Sequence, residues 1–301
     1  MNRNKTIMKA QILLCIGMLA AATASAQQLD TAKIDEITGL KGKLNKEENV
    51  YKVGFPRNDV KVSVDHWQMP PFMGLGIWAA FSPTNAHGAM VMGDTVLFED
   101  EVNPVMSVAL ENGLSVTALH NHFFFDEPKV YFMHIGGMGS VDQLAGAVRK
   151  VYDKIKEIRT ANPTPQKTFG GEALPEKNSV SAVPLNAVFS MTGEAKDGMV
   201  KFVIGRKSKM HGVEIGKEIG VNTWAAFAGS DDNAVVDGDF AVLESELQPV
   251  LKVLRERKIN IVAIHSHMAD EDPRILFLHY WGRGKAEDLA KAVKVGIEKT
   301  K

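Results

Sequence analysis

Across residues 115–136 apolar and polar positions follow a period of two. Val116, Ala118, His120 and His122 fall on one side, while Thr117, Leu119 and Phe123 take the other. Both sets are largely apolar, which predicts a central strand covered on both faces. Residues 129–136 return as a second strand across a tight acidic loop. Upstream, one apolar strand ends at Phe81 and another spans residues 90–98. A helix follows, opened by Pro104 after Asn103 because proline fits a first turn where no donor is needed, and closed by Gly113. Downstream, Ser140 and Gln143 have capping-box spacing, and Leu144, Val148 and Val151 form the buried stripe of a second helix. The order is β-α-β-β-α.

The same order recurs 145 residues later. His120-Asn121-His122 returns as His265-Ser266-His267, and the offset carries Pro128 to Pro273, Phe132 to Phe277, His134 to His279 and Gly93-Asp94 to Gly238-Asp239. Trp78-Ala79-Ala80-Phe81 matches Trp224-Ala225-Ala226-Phe227 at an offset of 146, so one loop has changed by a residue. The chain therefore divides into a leader, residues 1–26; a polar lead-in, 27–41; a first repeat, 42–159; a linker rich in proline and glycine, 160–179; and a second repeat, 180–301. The expected fold is α+β: two homologous halves, each a few strands followed by a ferredoxin-like β-α-β-β-α unit, packed about a pseudo-twofold.

Histidines two apart on a strand point the same way. If the following strand returns through a turn centred near Glu127, His134 lies opposite His120, and a shift of the turn by one whole residue keeps it on that face. His265, His267 and His279 behave alike about Asp272. Three converging imidazoles suit a divalent transition metal, zinc first and copper, manganese or iron also, with open positions for water or substrate. Asp126 and Glu271, four residues after His122 and His267, are the carboxylates expected to complete the site or to act as catalytic bases. The alternatives are histidines satisfied within the core, or a metal-free pocket. Gly93-Asp94 reads first as a turn, as do Asp65-His66 and His211-Gly212. Trp78 and Trp224 read as core residues, and His87 as a loop residue.

Composition narrows the surroundings. With 35 basic and 36 acidic residues and a net charge of -1, the chain lacks the electrostatic footprint of a nucleic-acid binder. Arg3, Lys5 and Lys9 precede an apolar run over residues 12–22 and then Ala24-Ser25-Ala26, the pattern of a cleaved signal peptide. The run is well short of the roughly 20 residues that span a bilayer. Export to the periplasm or beyond is expected, with no transmembrane segment after cleavage. Cys15 lies inside the leader, so the mature chain carries no disulfide and no thiol chemistry.

The Trp-Ala-Ala-Phe segments, Ala118-Leu119-His120-Asn121-His122, Ile264-His265-Ser266-His267 and Phe277-Leu278-His279-Tyr280-Trp281-Gly282 resemble the LppY/LpqO family over nearly the whole mature chain. That resemblance implies an exported bacterial protein with a tandem domain of unknown function. Some family members are lipid-anchored, but the residues before Cys15 do not fit a lipidation site. The resemblance implies no catalytic residues. The expectation is an exported metal protein with a His-x-His···His site in each repeat. If it is an enzyme, metal-assisted hydrolysis or hydration is the most economical chemistry. A non-catalytic module capturing a small molecule or envelope component, and a metal storage or delivery protein, are the competing expectations.

Overall fold

The computed structural model describes residues 29–84 and 88–301. The segment expected to be a leader, with Cys15, and His87 lie outside the described residues. The first repeat runs α1 (Thr31–Thr38), β1 (Lys43–Asn45), β2 (Val50–Pro56), β3 (Gly76–Pro83), β4 (Ala89–Phe98), α2 (Glu99–Glu111), β5 (Ser115–His120), β6 (Val130–Gly139) and α3 (Val141–Ala161). The second repeats that series as α4 (Ala182–Phe189), β7 (Glu194–Lys196), β8 (Met199–Gly205), β9 (Asn222–Gly229), β10 (Ala234–Leu243), α5 (Glu244–Glu256), β11 (Asn260–His265), β12 (Ile275–Gly284) and α6 (Ala286–Ile297).

These strands form a single antiparallel sheet of 12 in the order β1-β2-β3-β4-β6-β5-β11-β12-β10-β9-β8-β7. Replacing each strand by its counterpart makes the order read the same from either end, so the two halves are related about the β5/β11 seam. Within each half, β6 lies between β4 and β5, and β12 between β10 and β11. The helix α2 or α5 therefore connects two parallel strands across a third.

The seam itself is narrow. One pair, Leu119 and Ile264, joins β5 to β11. On either side of it a side-chain amide replaces the missing strand partner. Asn103 Oδ1 accepts from Ile261 N at 2.7 Å and its Nδ2 donates to Ile261 O at 3.1 Å. Gln248 Oε1 accepts from Val116 N at 2.9 Å and its Nε2 donates to Val116 O at 2.8 Å. Asn103 and Gln248 are themselves 145 residues apart, as are Val116 and Ile261, so the clamp is reciprocal.

The helices cover one face of the sheet. A Cβ on Gly137 would meet Leu144 of α3, and one on Gly282 would meet Leu289 of α6, so the face shared with Ile135 and Tyr280 is the helix-covered one. The other face is more open. A bulge explains why the alternation misplaces one residue. The β5/β6 register shifts between Val116 and Ala118, and the β11/β12 register between Ile261 and Ala263. Val116 and Leu119 are thereby both buried beneath the helices, whereas Ala118 and His120 share the open face.

Pro104 and Pro249 do not open their helices. Both lie inside, five residues past the first helical residue. The start is fixed by Glu101 and Glu246, which accept from Phe98 N and Leu243 N at 2.9 Å each. The proline then leaves the Asp100 carbonyl without its helical donor. Glu101 also accepts from both terminal nitrogens of Arg57 at 2.8 and 2.9 Å and is ion-paired with Arg159, whose Nε lies 2.7 Å away; Arg206 and Glu246 repeat the forked pair at 2.6 and 2.9 Å. These pairs tie β2 and β8 to the helix starts beside the sites.

Candidate metal centre

The histidines come together largely as their spacing implies, with the turn shifted by one whole residue. His134 pairs with Ala118, and His120 with Phe132. In the second repeat His279 pairs with Ala263, and His265 with Phe277. A whole-residue shift preserves the face, so His120 and His134 point the same way and their Nε2 atoms stand 3.0 Å apart. That is the distance of a hydrogen bond between one protonated and one bare ring nitrogen; on a tetrahedral ion the two nitrogens would stand about 3.4 Å apart. His122 and His267 follow the ends of β5 and β11 rather than lying in them. Each is held by stacking, His122 on Phe132 with ring centroids 3.6 Å apart and His267 on Phe277 at 3.4 Å.

Sequence reasoning missed the carboxylate that stands among them. Asp94 is directly opposite His134 across β4/β6, and Asp239 opposite His279 across β10/β12. Neither aspartate is in a turn; each is mid-strand, in a row across the open face running Trp78–Asp94–His134 or Trp224–Asp239–His279. The preceding glycine serves close packing. A Cβ on Gly238 would lie 2.2 Å from Tyr280 Oη and 2.3 Å from the Trp224 carbonyl. The recurrence of Gly-Asp at the 145-residue offset was the available signal. Trp78 and Trp224 are half-buried on this face, with Lys52 and Lys201 over their rings at 4.1 and 4.6 Å.

In the second repeat, Asp239, His265 and His267 each offer a ligand atom, all within 4.8 Å of one another; among the described residues this group meets that test. Asp239 Oδ2 is 3.5 Å from His267 Nε2 and 4.0 Å from His279 Nδ1. Asp239 is only 3% exposed, and its Oδ1 and the Nε2 of His265 are buried without a hydrogen-bond partner. Buried polar atoms are ordinarily paired, so these two orphaned atoms fit the donor set of a cation. Burial pushes the Asp239 carboxyl up to about 7. Burial, reinforced by neighbouring imidazoles, holds His265 and His267 below the usual imidazole range, keeping them neutral as ligands must be. In the first repeat burial raises Asp94 while its three histidines oppose the rise.

Asp126 and Glu271 are engaged elsewhere. Asp126 Oδ2 accepts from Val130 N at 2.7 Å and Oδ1 faces Lys129 at 3.3 Å; Glu271 Oε1 accepts from Ile275 N at 3.1 Å. Each brace sits in a two-residue strand that pairs with a small hairpin, the one turning at Asp65-His66 or the one turning at His211-Gly212. Those turns are as expected from sequence, with φ positive at all four positions.

Fold and site together define a tandem α+β protein whose halves each carry imidazoles beside a buried aspartate. The chain belongs to the family described as Domain of Unknown Function (DUF1259), which matches it twice, over residues 32–154 and 183–299. No curated protein matches it. Among solved structures, a trimeric bacterial microcompartment shell protein, PduB, is similar at 11% identity, covering 86% of this chain and 89% of that one, with a TM-score of 0.19, too low to argue from.

Proposed function

We propose that the protein is an exported metal-binding member of its family whose principal centre is in the second repeat, on Asp239, His265 and His267 with His279 alongside. The observation that carries this reading is the convergence of three ligand atoms within 4.8 Å, two of the residues holding buried polar atoms that no protein group satisfies. A carboxylate with two or three imidazoles suits zinc first, and copper, manganese or iron also. His120, His122 and His134, with Asp94, form the corresponding set in the first repeat.

If the centre is catalytic, the reaction is a hydrolysis or hydration. A bound ion supplies Lewis acidity toward a carbonyl or phosphoryl oxygen. Asp239, which burial raises to about 7 in the metal-free chain, gives up its proton to hold the ion, so uptake weakens as pH falls below about 7, and the ring stacking of His267 on Phe277 fixes one ligand in place. Asp126 and Glu271 keep the adjoining loops in shape. The leader over residues 1–26 and the likeness to the LppY/LpqO family support export to the periplasm, and the β-α-β-β-α order of each half supports a ferredoxin-like unit. Among the described residues no helix is long and apolar enough to cross a membrane.

The test is elemental analysis by plasma mass spectrometry of the protein purified without a histidine tag or chelator. The expected result is at least one transition-metal ion per chain, lost from the His265→Ala/His267→Ala variant. Full metal content in that variant would remove the assignment. A metal-free protein that takes up no zinc, copper, manganese or iron would make the histidines pocket residues of a binding module.

A further inference from the structure

The linker between the repeats is strapped across the open face of the second one. Gln166 N donates to Asp100 at 3.2 Å and Lys167 pairs with Glu127, fixing one end to the first repeat. Arg283 Nη1 donates to Gly170 O at 2.7 Å and its other nitrogen reaches Glu172 O, while Asn233 Nδ2 donates to Ala173 O at 2.9 Å. Beneath the strap is a cavity of about 730 Å³. Its size lies within the roughly 300–1,000 Å³ of small-molecule sites. His279 is in its wall and its Nδ1 is 4.0 Å from Asp239 Oδ2, which sets the cavity beside the Asp239 cluster.

The walls state a chemistry. Phe169 of the strap, Tyr131 of the first repeat and Trp281 of β12 supply aromatic surface. Two carboxylates, Glu99 and Asp237, enter from opposite repeats, whereas the one guanidinium, Arg283, is committed to linker carbonyls. Among the described residues of the wall, aromatic faces stand with carboxylates and no free cation, a lining that favours a positively charged guest. The first repeat carries none of this. Subtracting 145 turns Asp237, Trp281 and Arg283 into Met92, Gly136 and Met138, and Met92 and Met138 are 55% and 75% exposed. One half has kept a bare sheet face where the other has built a walled and roofed chamber.

We propose that this cavity is the ligand pocket of the second repeat and that it takes an organic amine with an apolar or aromatic body. As the substrate pocket of the metal centre it rests on the reading above; as a binding cavity it stands without it. The experiment is calorimetric titration of the full mature chain, stripped with chelator, using 2-naphthylethylamine and its isosteric acid, 2-naphthaleneacetate. One amine binds per chain, with the acid at least tenfold weaker. Asp237→Asn, an exposed position that leaves the fold intact, narrows that ratio severalfold. Trp281→Gly, which imports the first repeat's residue, abolishes binding of both, while Trp281→Phe retains the amine. No amine binding to the unaltered chain, acid binding as tight as amine, or wild-type behaviour in both Asp237→Asn and Trp281→Gly would overturn the proposal. Because metal is absent throughout, the two readings fail separately. Metal uptake without amine binding removes the pocket alone, and amine binding in a chain that takes up no metal removes the centre alone.

Discussion

Asn103 and Gln248 each close the strand edge of the other repeat, Asn103 on Ile261 and Gln248 on Val116, with two hydrogen bonds apiece. A single strand pair joins the two halves, so these amides carry much of the polar continuity of the seam. Asn103 is 6% exposed.

Replacing Asn103 by alanine strands a buried N–H and C=O of Ile261. Each orphaned group costs about 1–3 kcal/mol, so a loss of roughly 2–6 kcal/mol in urea unfolding is expected. Gln248→Ala costs less because its bonds are part-buried and water can enter. Equal, negligible effects of both would mean the seam is held by apolar packing alone.

The Arg57–Glu101–Arg159 cluster lies at 1%, 0% and 5% side-chain exposure. Glu101→Ala removes the carboxylate that two buried guanidiniums share, leaving Arg57 only the half-exposed Asp59 and Arg159 only Asp100, and is expected to destabilise by up to about 3–5 kcal/mol in chemical denaturation. Its counterpart, Glu246→Ala, releases Arg206, whose side chain is 14% exposed, and the loss is smaller. The order of the two effects is the checkable point.

Gly238→Ala forces a methyl against the Tyr280 hydroxyl and the Trp224 carbonyl. Because one obstacle is main chain, the strand must shift, at a cost of about 1–3 kcal/mol and with loss of metal affinity through displacement of Asp239. Tyr280→Phe added to it removes the hydroxyl clash but leaves the ring Cζ 2.3 Å from the new methyl and drops the hydroxyl's bond to Trp224 O, so it restores little of the stability. A Gly238→Ala protein with unchanged melting and metal content would show that the approach has slack.

Metal-free protein tests the Asp239 carboxyl. Its folded value is raised by burial from 3.8 to about 7, so the proton it holds favours folding. That contribution is complete below about pH 4 and is lost as pH rises through about 7. Three units correspond to at most about 4 kcal/mol. Asp239→Asn should therefore gain on the wild type steadily between pH 4 and 7 in the presence of chelator. With metal the ranking reverses, since an ion bound to the folded state stabilises only the chain that can hold it. A difference independent of pH would place the carboxyl in water.

The duplication, the strand order around the histidines and their common face were all legible in the sequence, because offset and parity survive small errors of register. Two features were not. The extra residues at Thr117 and Val262 carry no glycine or proline to mark them, so simple alternation assigned Val116 to the wrong face. Gly93-Asp94 and Gly238-Asp239 have the composition of turns, and only the groups pressed against each glycine, the Trp78 carbonyl and Ile135 at Gly93 and the Trp224 carbonyl and Tyr280 at Gly238, reveal a strand interior. The strap is a third case. Nothing in a run of prolines and glycines says which carbonyls Arg283 will bind.

A strand order that reads alike from both ends has a further meaning. A solitary repeat would present the exposed edge of β5 to water, and the surface complementary to that edge is the same edge of another copy. Tethering two copies in one chain replaces a bimolecular equilibrium, sensitive to dilution, with a fixed local concentration set by the connector between Ala161 and Ala182. It also frees one copy from matching the other, and a symmetric pair of identical chains has no such freedom to specialise a single half.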